Sequence, residues 1–166
     1  LLGGAGDDTL KGGAGADTIN GGRGNDFISM YEDIYAADGA SVPRDAARDV
    51  LVLQDGFGAD TIRAFQVGGT NADVLNVSGL HDAAGNLVDV GDVRVTSQGS
   101  SAVLSFPNGE RLVLEGVSAS ALNSAALVRL GIPASTSASV SAAPRSAEAG
   151  AQATTTTVAT SVAASA

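Results

Sequence analysis

A nine-residue repeat at the start of the chain limits its fold more than any other feature. From Gly3 the sequence reads GGAGDDTLK, GGAGADTIN, GGRGNDFIS, three tandem copies of G-G-x-G-x-D-x-U-x with U large and apolar. The aspartates are Asp8, Asp17 and Asp26, and the apolar slot holds Leu10, Ile19 and Ile28. Each copy splits into a GGxGxD turn and an xUx strand. The glycines permit positive φ and close backbone approach, so the turn can aim its carbonyls inward. Each strand triplet sends one apolar side chain to a common interior. Successive turns then fall on alternate edges of a flattened parallel coil, and copies one and three share an edge. At a strand spacing of ~4.8 Å, Asp8 and Asp26 face each other across roughly twice a Ca–O distance of ~2.3–2.6 Å. A Gly/Asp-rich linker has no reason to keep a large aliphatic in phase with an aspartate.

Residues 3–29 include nine glycines, the costliest residue to order. Burying Leu10, Ile19 and Ile28 returns only about 1.5–3 kcal/mol each against a backbone cost of about 1–2 kcal/mol per residue. Stacked aspartates also repel. The coil is therefore expected not to fold alone, and a bound dication would couple binding to folding. The donors are hard oxygens, which favours calcium over zinc or copper. The expected ligands are several Ca2+ ions held by the carboxylates of Asp8, Asp17, Asp26 and Asp60 and by carbonyls of Gly4, Gly6, Gly13, Gly15, Gly22, Gly24, Gly56 and Gly58. Asp55 and Asp73 complete the candidate set.

The repeat resembles the RTX, or hemolysin-type, calcium-binding family. The resemblance implies a parallel β-roll near the C-terminal end of a bacterial protein exported unfolded by type I secretion machinery. Such proteins are cysteine-poor, and this chain has no cysteine. Thr61–Leu80 is similar to the segment after the repeats in serralysin-type C-terminal domains, with Asp73 in phase but Ala64 and Asn76 where aspartate is common. The junction from Phe106 to Pro133 resembles one that precedes Hint autoprocessing domains, whose opening cysteine is absent here.

Composition narrows the function further. Net charge is −9 over 166 residues, and the first 60 carry eleven acids against four bases. That suits cations and disfavours nucleic acid, whose phosphates need a basic patch. There is no transmembrane run and no signal peptide. Leu1 occupies the apolar slot of a preceding repeat, so the chain reads as a piece of a longer array. His81 is the single histidine, and the zinc-protease H-E-x-x-H is absent. No enzyme is expected in this chain.

After the repeats (1–29), residues 30–49 read as an acidic excursion loop, in which Glu32, Asp33 and Asp38 are a peripheral option for an ion. Residues 50–133 read as a β-rich cap. It opens on a buried strand at Val50–Leu53 and a degenerate fourth repeat, where Asp55 replaces the first glycine while Gly56, Gly58, Asp60 and Ile62 keep phase. That repeat is expected to close a second site with Asp17. Asn108-Gly109 between apolar runs marks a hairpin. A short helix is expected over 118–130, N-capped by Ser118 and stopped by Gly131 and Pro133. Residues 134–166 hold no Leu, Ile or aromatic residue and read as a disordered Ala/Ser/Thr-rich tail, a candidate secretion signal. The fold class is thus all-β: a β-roll, a β-rich cap with one helix, and the tail. The function expected is a calcium-dependent folding and export module, secreted or at the cell surface. The alternative is a calcium-shaped adhesion, surface-layer or polysaccharide-binding module.

Overall fold

The computed structural model describes residues 1–31 and 47–135. Ten strands and one short α-helix follow in chain order. The strands are β1 (Leu2–Ala5), β2 (Thr9–Lys11), β3 (Thr18–Arg23), β4 (Phe27–Ser29), β5 (Val50–Gln54), β6 (Ala59–Arg63), β7 (Val74–Gly79), β8 (Arg94–Gln98), β9 (Ser101–Ser105) and β10 (Arg111–Leu114). Helix α1 spans Ser124–Arg129.

The first seven strands alternate between two open sheets. Odd strands make one sheet in the order β1-β3-β5-β7, and even strands begin the other, β2-β4-β6-β10-β9-β8. Pairing is parallel throughout the alternating part. Leu10 aligns with Ile28, and Ile28 with Ile62. On the other sheet Ile19 aligns with Leu51, and Leu51 with Leu75. This is the expected alternation, with copies one and three on one edge. Period-2 geometry sends the in-phase aliphatics inward, so Ile19, Ile28, Leu51, Ile62 and Leu75 are fully buried between the sheets.

The cap joins the even sheet. β10 pairs in parallel with β6, and β9 returns antiparallel through the turn at Asn108-Gly109, where Gly109 takes φ +91°. The hairpin read from Asn-Gly is present. The expected helix over 118–130 is not continuous: a 3-10 turn at Ala119–Ala121 precedes α1, whose N-cap is Asn123, with its side chain accepting from Ala126 N–H. Ser118 makes no cap bond. The carboxamide supplies an acceptor at the true helix start, whereas the Ser118 hydroxyl meets that of Ser120 at 2.8 Å. Gly131 (φ +105°) and Ile132 end α1 in a Schellman motif, with Gly131 N–H on Val128 O and Ile132 N–H on Leu127 O. The chain then covers the free edge of β7, since Leu75 N–H donates to Leu130 O at 2.6 Å. The other end has no such cover among the described residues: Leu1 and Leu2 are exposed and Leu10 only half-buried.

Turn stacking is what requires the glycines. A Cβ on Gly58 would fall 2.0 Å from the carbonyl oxygen of Gly24, in a backbone already at φ +86°. Gly99, at the tip of the β8–β9 hairpin, also has positive φ (+61°) but open space around it. Gly58→Ala should therefore cost about 3 kcal/mol or more, combining overpacking with left-handed strain, and Gly99→Ala only about 1 kcal/mol. Urea unfolding of both variants in calcium checks this, and equal losses would show that turn contact is not the constraint.

Candidate metal centre

Each turn delivers its aspartate at the point where the chain enters the next strand. Asp8 N–H donates to Asp26 Oδ1 at 2.9 Å, and Asp26 N–H donates to Asp60 Oδ1 at 2.9 Å. On the opposite edge Asp17 N–H donates to Asp49 Oδ1 at 2.9 Å, and Asp49 N–H to Asp73 Oδ1 at 3.0 Å. Two ladders of three aspartates result, one per edge. The carboxylates of Asp26, Asp60, Asp49 and Asp73 each use one oxygen to hold the amide of the turn stacked on it, while Asp8 and Asp17 are the outer members, joined to their ladders through their own amides.

These ladders correct one expectation. Asp17 does not share an edge with the degenerate fourth repeat. Asp60 stacks under Asp26, and the partner of Asp17 is Asp49. β5 pairs with β3, which puts Asp49 on the edge of Asp17, so Gln54–Gly58 then falls on the edge of Asp8. Asp49 was missed as a site residue, although a signal existed. Asp49-Val50-Leu51 repeats the D-x-U triplet of Asp17-Thr18-Ile19, and Asp73-Val74-Leu75 repeats it again.

Asp55 also departs from expectation. Its Oδ1 accepts from His81 N–H and its Oδ2 lies 2.8 Å from His81 Nδ1, both on the surface. These bonds hold its carboxyl below the usual range. It ties the turn to the end of β7 and does not join the ladder. Asp73 terminates its ladder with both oxygens engaged, Oδ2 accepting from Gln66 N–H at 2.7 Å. Gly58 O accepts from Arg111 N–H, linking the turn to β10. The stacked glycines Gly4 and Gly22, and Gly6, Gly24 and Gly58, approach closely enough that a Cβ on the inner member would strike the carbonyl of its neighbour. Gly13 and Gly15 lie in the turn between β2 and β3, and Gly56 N–H donates to Glu110 Oε1. Asp7 and Asn25 add a second short stack, with Asn25 N–H on Asp7 Oδ1 and Ala59 N–H on Asn25 Oδ1. Glu32, Asp33, Asp38 and residues 136–166 of the tail lie outside the described residues.

The unused oxygens are the decisive feature. Oδ2 of Asp8, Asp17 and Asp26 is buried with no hydrogen-bond partner, and among the described residues no other carboxylate oxygen is in that state. All three belong to the full GGxGxD repeats. Each Oδ2 lies over the first glycine of its own copy: a Cβ there would come within 2.8 Å at Gly3, 3.1 Å at Gly12 and 2.2 Å at Gly21. A buried, unpartnered carboxylate oxygen costs several kcal/mol unless a cation meets it. Among the described residues no three acidic, His or Cys side chains converge to form an ion site unaided. A full shell of ~6–8 oxygens must therefore include main-chain carbonyls, which glycine turns present. The donor set fits a hard dication.

The arrangement defines a class, a stacked-turn repeat whose orphaned carboxylate oxygens suit divalent cations. Residues 1–28 match the family model of the RTX calcium-binding nonapeptide repeat (4 copies), HemolysinCabind. The model's description, a calcium-binding repeat, agrees with the hard-oxygen donor set of these turns. No curated protein matches the chain.

Asp60 gives the site a pH dependence. Burial pushes its carboxyl up to about 7, with the nearby Asp26 charge adding to the rise and the Asp26 N–H bond opposing it. The unfolded carboxyl ionises near 3.8. The folded, ion-free chain thus keeps a proton that the unfolded chain releases, so its stability falls as pH rises between those values. Metal-stripped protein should show more ordered β signal at about pH 5 than at about pH 8, and Asp60→Asn should flatten the difference. An unchanged pH profile in the variant would reject Asp60 as the group responsible.

Proposed function

We propose that this chain is a calcium-dependent folding and export module of a secreted protein: a parallel β-roll that orders when calcium enters its turns. The observation that carries the reading is the set of orphaned Oδ2 atoms on Asp8, Asp17 and Asp26. They make the ion-free roll costly, and a dication removes that cost. In a compartment with little free calcium the chain stays unfolded and passes through type I secretion machinery. Outside, millimolar calcium loads sites of the ~10⁻⁴–10⁻³ M affinity typical of extracellular modules. Asp8, Asp17 and Asp26 supply carboxylates, and the glycine turns supply carbonyls. The ordered roll then scaffolds the protein that carries it, and on this reading the module performs no reaction.

A calcium titration followed by circular dichroism tests the reading. The wild type should gain β signal cooperatively, starting from a coil-like spectrum in chelator. Asp17→Asn should move the midpoint to on the order of tenfold higher calcium, because it removes a charge from the shell. Asp55→Asn should leave the midpoint in place, since that carboxylate serves His81. A full β signal in excess chelator at neutral pH, or equal midpoint shifts in the two variants, would overturn the proposal.

A further inference from the structure

We propose that a small basic cavity beside the end of α1 binds a single oxyanion group, a carboxylate or a phosphate. The cavity measures ≈ 230 Å³ and is lined by Arg48, Val67, Gly68, Gly69, Ala72, Arg129 and Leu130. Among the described residues no acidic side chain lines it. The whole chain carries only nine Lys and Arg against eighteen Asp and Glu, so two guanidinium groups on one cavity invert the prevailing charge.

Each arginine has a simpler role available, and neither role accounts for both guanidinium groups. Arg48 Nε donates to Ala72 O at 2.9 Å, which fixes its stem and leaves its terminal NH2 groups over. Arg129 sits in the last turn of α1, where a cation is favoured by the helix dipole. That preference needs no hydrogen bond, and Arg129 forms no hydrogen bond or ion pair among the described residues. The opposite wall is a short loop closed at its neck by two bonds, Gln66 N–H to Asp73 Oδ2 and Asp73 N–H to Gln66 O. Gln66 Nε2 further holds Gly68 O at 3.1 Å, and Gly69 turns at φ +93°. This braces a glycine pair, without side chains to obstruct approach, in the lining that Arg48 and Arg129 share. Guanidinium recognises carboxylate and phosphate through paired N–H bonds. Val67 and Leu130 give the cavity apolar sides, and its volume suits one anionic head with the rest of the ligand outside.

The test uses the full chain loaded with calcium and labelled with 15N. Phenyl phosphate, benzoate and the neutral benzamide are titrated separately while amide and Arg Nε shifts are followed. Saturable shifts at Gly68, Gly69 and Arg129 are expected with at least one anion and not with benzamide, and the tighter anion identifies the source. Arg129→Gln should weaken that binding about tenfold, the loss expected for a charge-assisted contact. The far-UV spectrum checks that the variant is folded. Shifts that never saturate, that benzamide reproduces, or that Arg129→Gln leaves unchanged would overturn the proposal.

Discussion

The structure depends on a divided aspartate. In the third full repeat the carboxylate has two oxygens with different fates. On Asp26, Oδ1 takes the amide of Asp8 in the adjacent turn, and Oδ2 is buried against its own first glycine with nothing to meet it. The first contact fixes the spacing of turns, because the amide of one turn must reach the carboxylate of the next. The second creates a debt of solvation that apolar burial in these short strands does not cover. Such a triplet offers a single inward aliphatic, worth about 1.5–3 kcal/mol when fully buried. At Asp26, register and ion requirement therefore come from one side chain.

The apolar core is uneven along the coil, and this gives the charge problem a direction. Ile19, Ile28, Leu51, Ile62 and Leu75 are sealed between the sheets, and Phe57 meets Phe106 edge-on at 5.5 Å where the fourth turn joins the cap. Arg63 links the same end to the cap through Glu115 at 3.0 Å while lying over Phe27, 5.3 Å from the ring centre. That pair is partly exposed and adds little energy by itself. Toward Leu1 the aliphatics lose their cover. Apolar packing is thus strongest where the ladders end and weakest around Leu1, Leu2 and Leu10, at the outer turn that holds Asp8.

Much of this was legible from residue order. The nine-residue period placed Leu10, Ile19 and Ile28 inward and set Asp8 opposite Asp26, because a strand period of two and a turn of fixed length leave few options. Asn108-Gly109 marked its hairpin for a similarly local reason. Long-range stacking was harder to read. Whether the fourth turn lay on the edge of Asp8 or of Asp17 depended on which sheet the strand from Val50 joined. No glycine pair precedes that strand, and only the triplet from Asp49 to Leu51 betrays its place. Asp55 misled for another reason: phase put it in a glycine slot, but His81, 26 residues on, claimed its carboxylate. The helix start moved from Ser118 to Asn123 because the Asn123 carboxamide, not the Ser118 hydroxyl, found a helix amide, that of Ala126.

The loss of the glycine pair in the fourth turn fits this energetic gradient. Where Gly3, Gly12 and Gly21 open space for an unpaired Oδ2, the aspartate needs an ion. At position 55 the glycine is gone, and Asp60 is not among the orphaned carboxylates. Its burial raises its proton affinity, so a proton can neutralise it when no cation does. At Asp73 the requirement disappears, since amides of Asp49 and Gln66 occupy both oxygens. Along each edge the same residue type passes from needing a cation to being satisfied by protein or proton. The ladder can therefore end at the cap without an ion, whereas its outer members cannot, and the glycine pairs mark where that boundary falls.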